Sequence, residues 1–161
     1  MSTYRIRAAT LDDVNALVRH RLGMFADMGT AIDAAAIEMA FRGWLAEMMP
    51  AGVYRGWVVT NERDEIVGGG GMTVLPWPPG PWYAGGRIAF VYNVYVAPSH
   101  RRRGIARQLM QTIHDWCRQN GIGVIGLNAS PEGRPLYEAM GYQPAANPLL
   151  FAGVDVDNAS G

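Results

Sequence analysis

The stretch that most constrains the fold reads Val94-Tyr95-Val96-Ala97-Pro98-Ser99-His100-Arg101-Arg102-Arg103-Gly104-Ile105-Ala106-Arg107. A β-branched and aromatic run enters Pro98, and an amphipathic helical pattern leaves Gly104. This is a strand-to-helix junction. Three arginines stand where the helix begins, and cations there oppose the positive end of the helix macrodipole. The arrangement becomes favourable when an anion is bound, because the N–H groups of a first helical turn have no partners inside the helix. The junction therefore reads as built around a ligand phosphate. A solvated surface turn is the usual reading of an arbitrary three-arginine run. A run held between a proline and a glycine at such a junction favours the ligand.

The rest of the chain supplies a frame for that junction. Tyr4 to Ala8 reads as a short strand, and Thr10 as a helix N-cap with Asp12 and Asp13 in the first turn. Leu11, Val14, Leu17, Val18 and Leu22 form the stripe of a first helix. A second is expected from about Asp33 to Met49. Strands follow over Gly56–Thr60, Ile66–Leu75 and Arg87–Val96, with a polar hairpin turn at Asn61–Glu65. Gly68 to Gly71 inside a strand suggest a bulge or close backbone packing. The loop from Pro76 to Pro81 is stiff and unfit for a central strand. After the junction come a helix to about Asn120, a strand at Gly123–Asn128, a short helix at Pro135–Met140 and a last strand at Leu149–Val154. The pattern predicts an α/β chain with a mixed sheet and helices on its faces. It forms one domain over residues 1–154 with a frayed tail at 155–161.

Several function classes fall away. The pattern G-x-x-x-x-G-K-S/T is missing, as is G-x-G-x-x-G after the first strand, which argues against a nucleotide triphosphatase or a Rossmann dinucleotide site. Fourteen basic and fourteen acidic side chains cancel, so neither a nucleic acid nor a membrane partner is expected. No apolar run approaches the roughly 20 residues of a membrane span. His20, His100 and His114 lack metal-ligand spacing, and Cys117 stands alone, so no metal site or internal disulfide is expected. Cys117 shares an apolar stripe with Ile113 and reads as core. With no basic region leading into an apolar run at the N-terminus, a cytoplasmic location is expected.

At this point two blocks carry a family resemblance. Arg101-Arg102-Arg103-Gly104-Ile105-Ala106 resembles the signature of the GCN5-related N-acetyltransferases: Gln or Arg, two residues, Gly, one residue, then Gly or Ala. Leu136-Tyr137-Glu138-Ala139-Met140-Gly141-Tyr142 resembles that family's downstream Leu-Tyr-Glu block. With Ile6–Thr10, the resemblance spans nearly the whole chain. It implies a single-domain, mostly antiparallel mixed sheet of about six or seven strands, with helices on both faces and a splayed strand pair at a cofactor cleft. It also implies acetyl-CoA as cosubstrate and a primary amine of a small molecule or peptide as acceptor.

Carried over residue by residue, the resemblance implies that the amides of Arg102, Arg103, Gly104, Ile105 and Ala106 hold the pyrophosphate. Arg101 and Arg103 would add charge-assisted contacts. The strand edge at Val94 and Val96 would pair with the pantetheine arm, and Asn128 and Ser130 would hydrogen-bond it. Tyr137 matches the tyrosine that protonates the departing thiolate. Two departures stand out. Ser130 occupies a place where the family often has Asn, and Tyr92 occupies one where some members carry a Glu base. Phe25, Trp77 and Tyr92, with Met24, Met28, Trp44, Trp82 and Tyr83, are available to line an acceptor pocket between the first two helices and the loop after Pro76. A catalytically silent acyl-CoA-binding module is the alternative that these departures leave open. Relatives in the family often dimerise, so a homodimer is a further expectation.

Overall fold

The computed structural model describes residues 3–81, 83–147 and 149–155. Five strands form one sheet in the order β1 (Arg5–Ala8), β2 (Tyr54–Thr60), β3 (Ile66–Pro76), β4 (Arg87–Val96) and β5 (Ile125–Leu127). Neighbours are antiparallel from β1 to β4, and β5 joins β4 in parallel. Among the described residues four α-helices accompany the sheet: α1 (Val14–Asp27), α2 (Ala34–Met48), α3 (Ile105–Gln119) and α4 (Arg134–Ala139).

The helices divide between the two faces of the sheet, and the strand pleat explains how. Trp57 and Val59 of β2 join Met72, Val91, Leu109, Met110 and Ile113 in one core, which lies under α3. Tyr54 and Val58 face the opposite way and pack with Leu17, Val18, Phe41 and Leu45 of α1 and α2. Residues one apart on a strand serve opposite faces, so β2 reads as a nearly continuous apolar run.

The start of α1 is fixed as its sequence suggests. Thr10 and Asp13 form a capping box around a short 3-10 turn at Leu11–Asp13. Arg7 grips both oxygens of the buried Asp13 carboxylate at 2.8 and 2.9 Å, tying α1 to β1. The Arg7 hydrogen bond holds the Asp13 carboxyl below its usual range.

The glycine run of β3 is a case of close approach. A methyl on Gly69 would lie 2.6 Å from the Trp57 carbonyl oxygen, and one on Gly71 would lie 2.2 Å from the Tyr54 hydroxyl. The register also shifts between Gly69 and Gly71, opposite Asn93 of β4. Bulge and close packing, the two sequence readings of this run, thus coincide.

Two expectations are corrected. Among the described residues the sheet has five strands, where about six or seven were expected. Leu149 to Val154 forms no strand; Leu150 and Phe151 are 89% and 88% exposed. An apolar, β-prone run becomes a strand only when an edge pairs with it. Beyond Asp155, the expected tail lies outside the described residues. Among the described residues, no helix is long and apolar enough to cross a membrane.

His20 lies within α1, where a partial positive charge near the helix end would be favourable, yet its surroundings keep it neutral. It is buried on α1, stacked on Tyr95 with ring centroids 5.4 Å apart, and its Nδ1 has no hydrogen-bond partner among the described residues. Burial, aided by the neighbouring Arg19 charge, pushes its pKa down to about 4. The folded protein therefore binds fewer protons than the unfolded chain between an unfolded pKa of ~6.5 and the folded value. The associated stability is complete above that upper limit and is lost as pH falls towards 4, amounting to about 3 kcal/mol. Urea unfolding of wild type and His20→Phe across this range tests it. The variant is expected to lose less stability on acidification, and parallel curves would refute the assignment.

Candidate active site

The cleft follows from a mismatch in strand length. The short β5 pairs with β4 only over Ala89–Val91, leaving the edge of β4 from Tyr92 to Val96 without a strand neighbour. A cleft of about 830 Å³ opens there. Val94 and Val96 line it from β4, and Asn128 and Ser130 line it from the segment after β5.

The junction closes one end. A 3-10 turn at Pro98–His100 leads into Arg101, followed by positive φ at Arg102 (61°) and again at Gly104 (78°). Alternation of this kind turns successive amides towards a common centre. Gly104 is the N-cap of α3 and supplies no side-chain cap, so the amides of the first helical turn retain their capacity to bind an anion. A methyl placed on Gly104 would meet nothing within 4 Å. Its conformation and the space in front of it explain the glycine; internal crowding does not. Arg102, Ile105 and Ala106 line the same end.

The flanking arginines have other partners. Arg101 donates from Nε to the Val96 carbonyl at 2.8 Å and pairs with Asp27 of α1 at 2.5 Å. It lines the cleft, yet its head ties the end of α1 to the end of β4. Arg103 is absent from the lining and reaches Tyr4 Oη and the Ser99 carbonyl, each at 3.4 Å.

Tyr137 projects from α4 into the cleft. Its ring meets Tyr142 edge-on at 5.8 Å, and its hydroxyl has no hydrogen-bond partner among the described residues. Burial raises the phenol pKa, which keeps it protonated at neutral pH. Ser130 Oγ accepts from Gly133 N–H at 3.1 Å and so shapes the turn into α4. A methyl on Gly133 would press within 3.0 Å of the Tyr137 ring and 3.3 Å of Ser130 Oγ, so glycine lets these two side chains gather.

The opposite side is formed by α1 and the bulge of β4. Met24, Phe25 and Met28 line it from α1, and Phe90 and Tyr92 from β4. Asn93, at φ 60°, turns inward at the bulge. It accepts from Arg21 Nη1 at 2.6 Å and donates from Nδ2 to Tyr54 Oη at 3.1 Å. Trp77 is not brought to this cleft: it is 48% exposed, and its amide bonds the Gly86 carbonyl at 2.8 Å. Tyr83 turns to a second cavity beside Gly123. Trp44 packs on Phe41 and Tyr54. Trp82 lies outside the described residues.

The sequence reading did not single out Arg21 or the cleft carboxylates Asp27 and Glu132. For Arg21 a local signal existed: Phe25 stands four residues on, so the two share a helical face. Cys117, on the buried face of α3, enters the core 3.7 Å from the Met72 sulfur, with burial raising its pKa to about 11. That suits packing better than nucleophilic chemistry. Among the described residues, no three His, Cys, Asp or Glu side chains gather as a metal site.

Comparison with known proteins agrees with this architecture. A GCN5-related N-acetyltransferase from Ralstonia eutropha is 34% identical, with 92% of this chain matched to 98% of that one at a TM-score of 0.85. A predicted acetyltransferase from Clostridium acetobutylicum, solved with acetyl-CoA, shares the fold at 24% identity and a TM-score of 0.84, with 92% and 96% of the two chains covered. The aminoglycoside N(6')-acetyltransferase type 1 of Salmonella typhimurium is 25% identical over 67 residues. That match covers 40% of this chain and 46% of the relative, so it spans about half the relative's length. The sequence model of the acetyltransferase (GNAT) family matches residues 29–142, more than half of the chain, and the chain belongs to that family.

Proposed function

We propose that the protein is an acetyl-CoA-dependent N-acetyltransferase that moves the acetyl group directly onto a primary amine of a small molecule or peptide. The observation that carries this reading is the run of the cleft. It extends along the unpaired edge of β4, from uncapped helix amides at one end to the Tyr137 hydroxyl and the acceptor side at the other.

Each part has a chemical task. The amides of Arg102 to Ala106 suit the pyrophosphate, with Arg102 adding charge. The free backbone groups of Val94 and Val96 suit the amides of a pantetheine arm, which would extend the sheet as a strand does. The acceptor nitrogen attacks the thioester carbonyl carbon, the C–S bond breaks, and the Tyr137 hydroxyl gives its proton to the departing sulfur. An amine with a pKa near 10.4 must first shed a proton. Tyr92 provides no carboxylate, and Asp27 is paired with Arg101. Glu132, in none of the ion pairs among the described residues, is available to take the proton through water.

Calorimetry with acetyl-CoA, followed by thiol release over a panel of primary amines, tests the proposal. Micromolar binding and amine-dependent thiol release are expected. Binding without release for any amine would favour the silent acyl-CoA module that the Ser130 and Tyr92 departures allow. Absence of binding would reject both readings.

A further inference from the structure

Arg21 is a half-buried cation on the acceptor side of the cleft, and its surroundings are unusual. Its guanidinium carbon lies 5.1 Å from the Phe25 ring centroid and 5.0 Å from that of Phe41. Nη1 donates to Asn93 Oδ1 at 2.6 Å, and Asn93 is itself held by Tyr54. The two rings and the amide fix the plane of the guanidinium. None of these partners is a carboxylate, and none of the ion pairs among the described residues includes Arg21. Its Nε and Nη2 make no hydrogen bond among the described residues. A guanidinium that uses one Nη in this way still presents its Nε–Nη2 edge, whose two parallel N–H groups match the two oxygens of an oxyanion.

The other charges of the cleft agree. Its two carboxylates are Asp27, paired with Arg101, and Glu132, against the cations Arg21, Arg101, Arg102 and Arg107. A polycationic amine would meet a fixed positive charge beside the β4 bulge. We infer that Arg21 is a specificity-determining residue that receives an oxyanion of the acceptor, so that the acceptor is an amine bearing a carboxylate or phosphate group. This rests on the acetyl-transfer reading for the word acceptor, while the recognition itself is a binding property that can be measured without turnover. Aromatic rings by themselves would suit an acceptor with an apolar or cationic part; the guanidinium held against Phe25 and Phe41 reverses the preferred sign.

The test uses the whole chain saturated with CoA and matched ligand pairs: amino acids with their carboxamides, and amino sugars with their phosphate esters. Calorimetry gives binding, and thiol release with acetyl-CoA gives turnover. For at least one pair the anionic member is expected to bind ten times more tightly or better, and the pair that responds distinguishes carboxylate from phosphate. Arg21→Met, which keeps a stem to pack between the rings, is expected to remove that preference while leaving CoA affinity unchanged. Arg21→Lys is expected to restore part of it, which a purely structural role would not do. If the Met variant unfolds, the wild-type and Lys ratios still decide. Equal binding within every pair, preference for the neutral members, or no binding by any ligand overturns the inference. Faster acetylation of the neutral members overturns it and leaves the acetyl-transfer reading standing. Tight anionic binding without acetylation preserves it and removes that reading.

Discussion

Gly104→Glu is expected to abolish acetyl-CoA binding in a protein that still folds. Two effects combine at this position. Gly104 sits at φ 78°, a left-handed conformation that costs a side-chain-bearing residue about 1–2 kcal/mol. Nothing lies within 4 Å of a methyl built there, so the new side chain has room inside the apo protein and enters the space in front of the α3 amides. A carboxylate about 4 Å from a phosphate oxygen costs on the order of 4 kcal/mol at an effective dielectric near 20, roughly a thousandfold in affinity. The same carboxylate is compatible with the helix macrodipole, which offsets part of the backbone strain. Calorimetry should therefore show no heat of binding at ligand concentrations that saturate wild type, with only a modest fall in melting temperature. Gly104→Asn separates the two effects, because asparagine tolerates the left-handed region and carries no charge. It should bind measurably where the Glu variant does not. Binding by the Glu variant within tenfold of wild type would remove the junction as the pyrophosphate site.

The junction was readable because its information is local. A strand-forming run, a proline, a glycine and a helical stripe fix the backbone through short-range preferences, and β4 and α3 stand where those signals put them. The α1 cap is of the same kind: Thr10, Asp12 and Asp13 are neighbours in the chain and in space. What the sequence withheld depends on distant partners. The opening of the cleft arises because β5 pairs with only three residues of β4, and no local pattern records where a parallel neighbour stops. The partner of Arg101, Asp27, stands 74 residues earlier, and no local pattern joins the two. The direction of the loop after Pro76 is equally non-local, so that side of the cleft is lined by α1 and the β4 bulge without Trp77. His20 is an instructive case between the two kinds. With Asp13, Ala16 and Leu17 it follows the spacing of one helical face, and all four are buried. The periodicity marks its burial, which the residue type alone does not.

Tyr137→Phe should lower turnover about a hundredfold and leave acetyl-CoA affinity within about twofold, a size typical of losing one positioned acid. The substitution removes one oxygen and keeps the ring, so the edge-on contact with Tyr142 and the packing of α4 on the core survive. The hydroxyl gives up no hydrogen bond within the protein, as it has no partner among the described residues. The cost should therefore fall on the chemical step. Burial raises the phenol pKa, so the proton is in place at neutral pH. A phenol at or above ~10 is also a weaker acid than a thiol near 8.5, so the unreacted thioester receives no proton from it. Help begins only as negative charge builds on the leaving sulfur, and an interaction made in the transition state alone lowers kcat without changing ground-state binding. A loss in affinity equal to the loss in turnover would instead mean that Tyr137 is part of the cofactor's binding surface. Unchanged turnover would remove it from the chemistry, leaving water as the proton source for the departing thiolate.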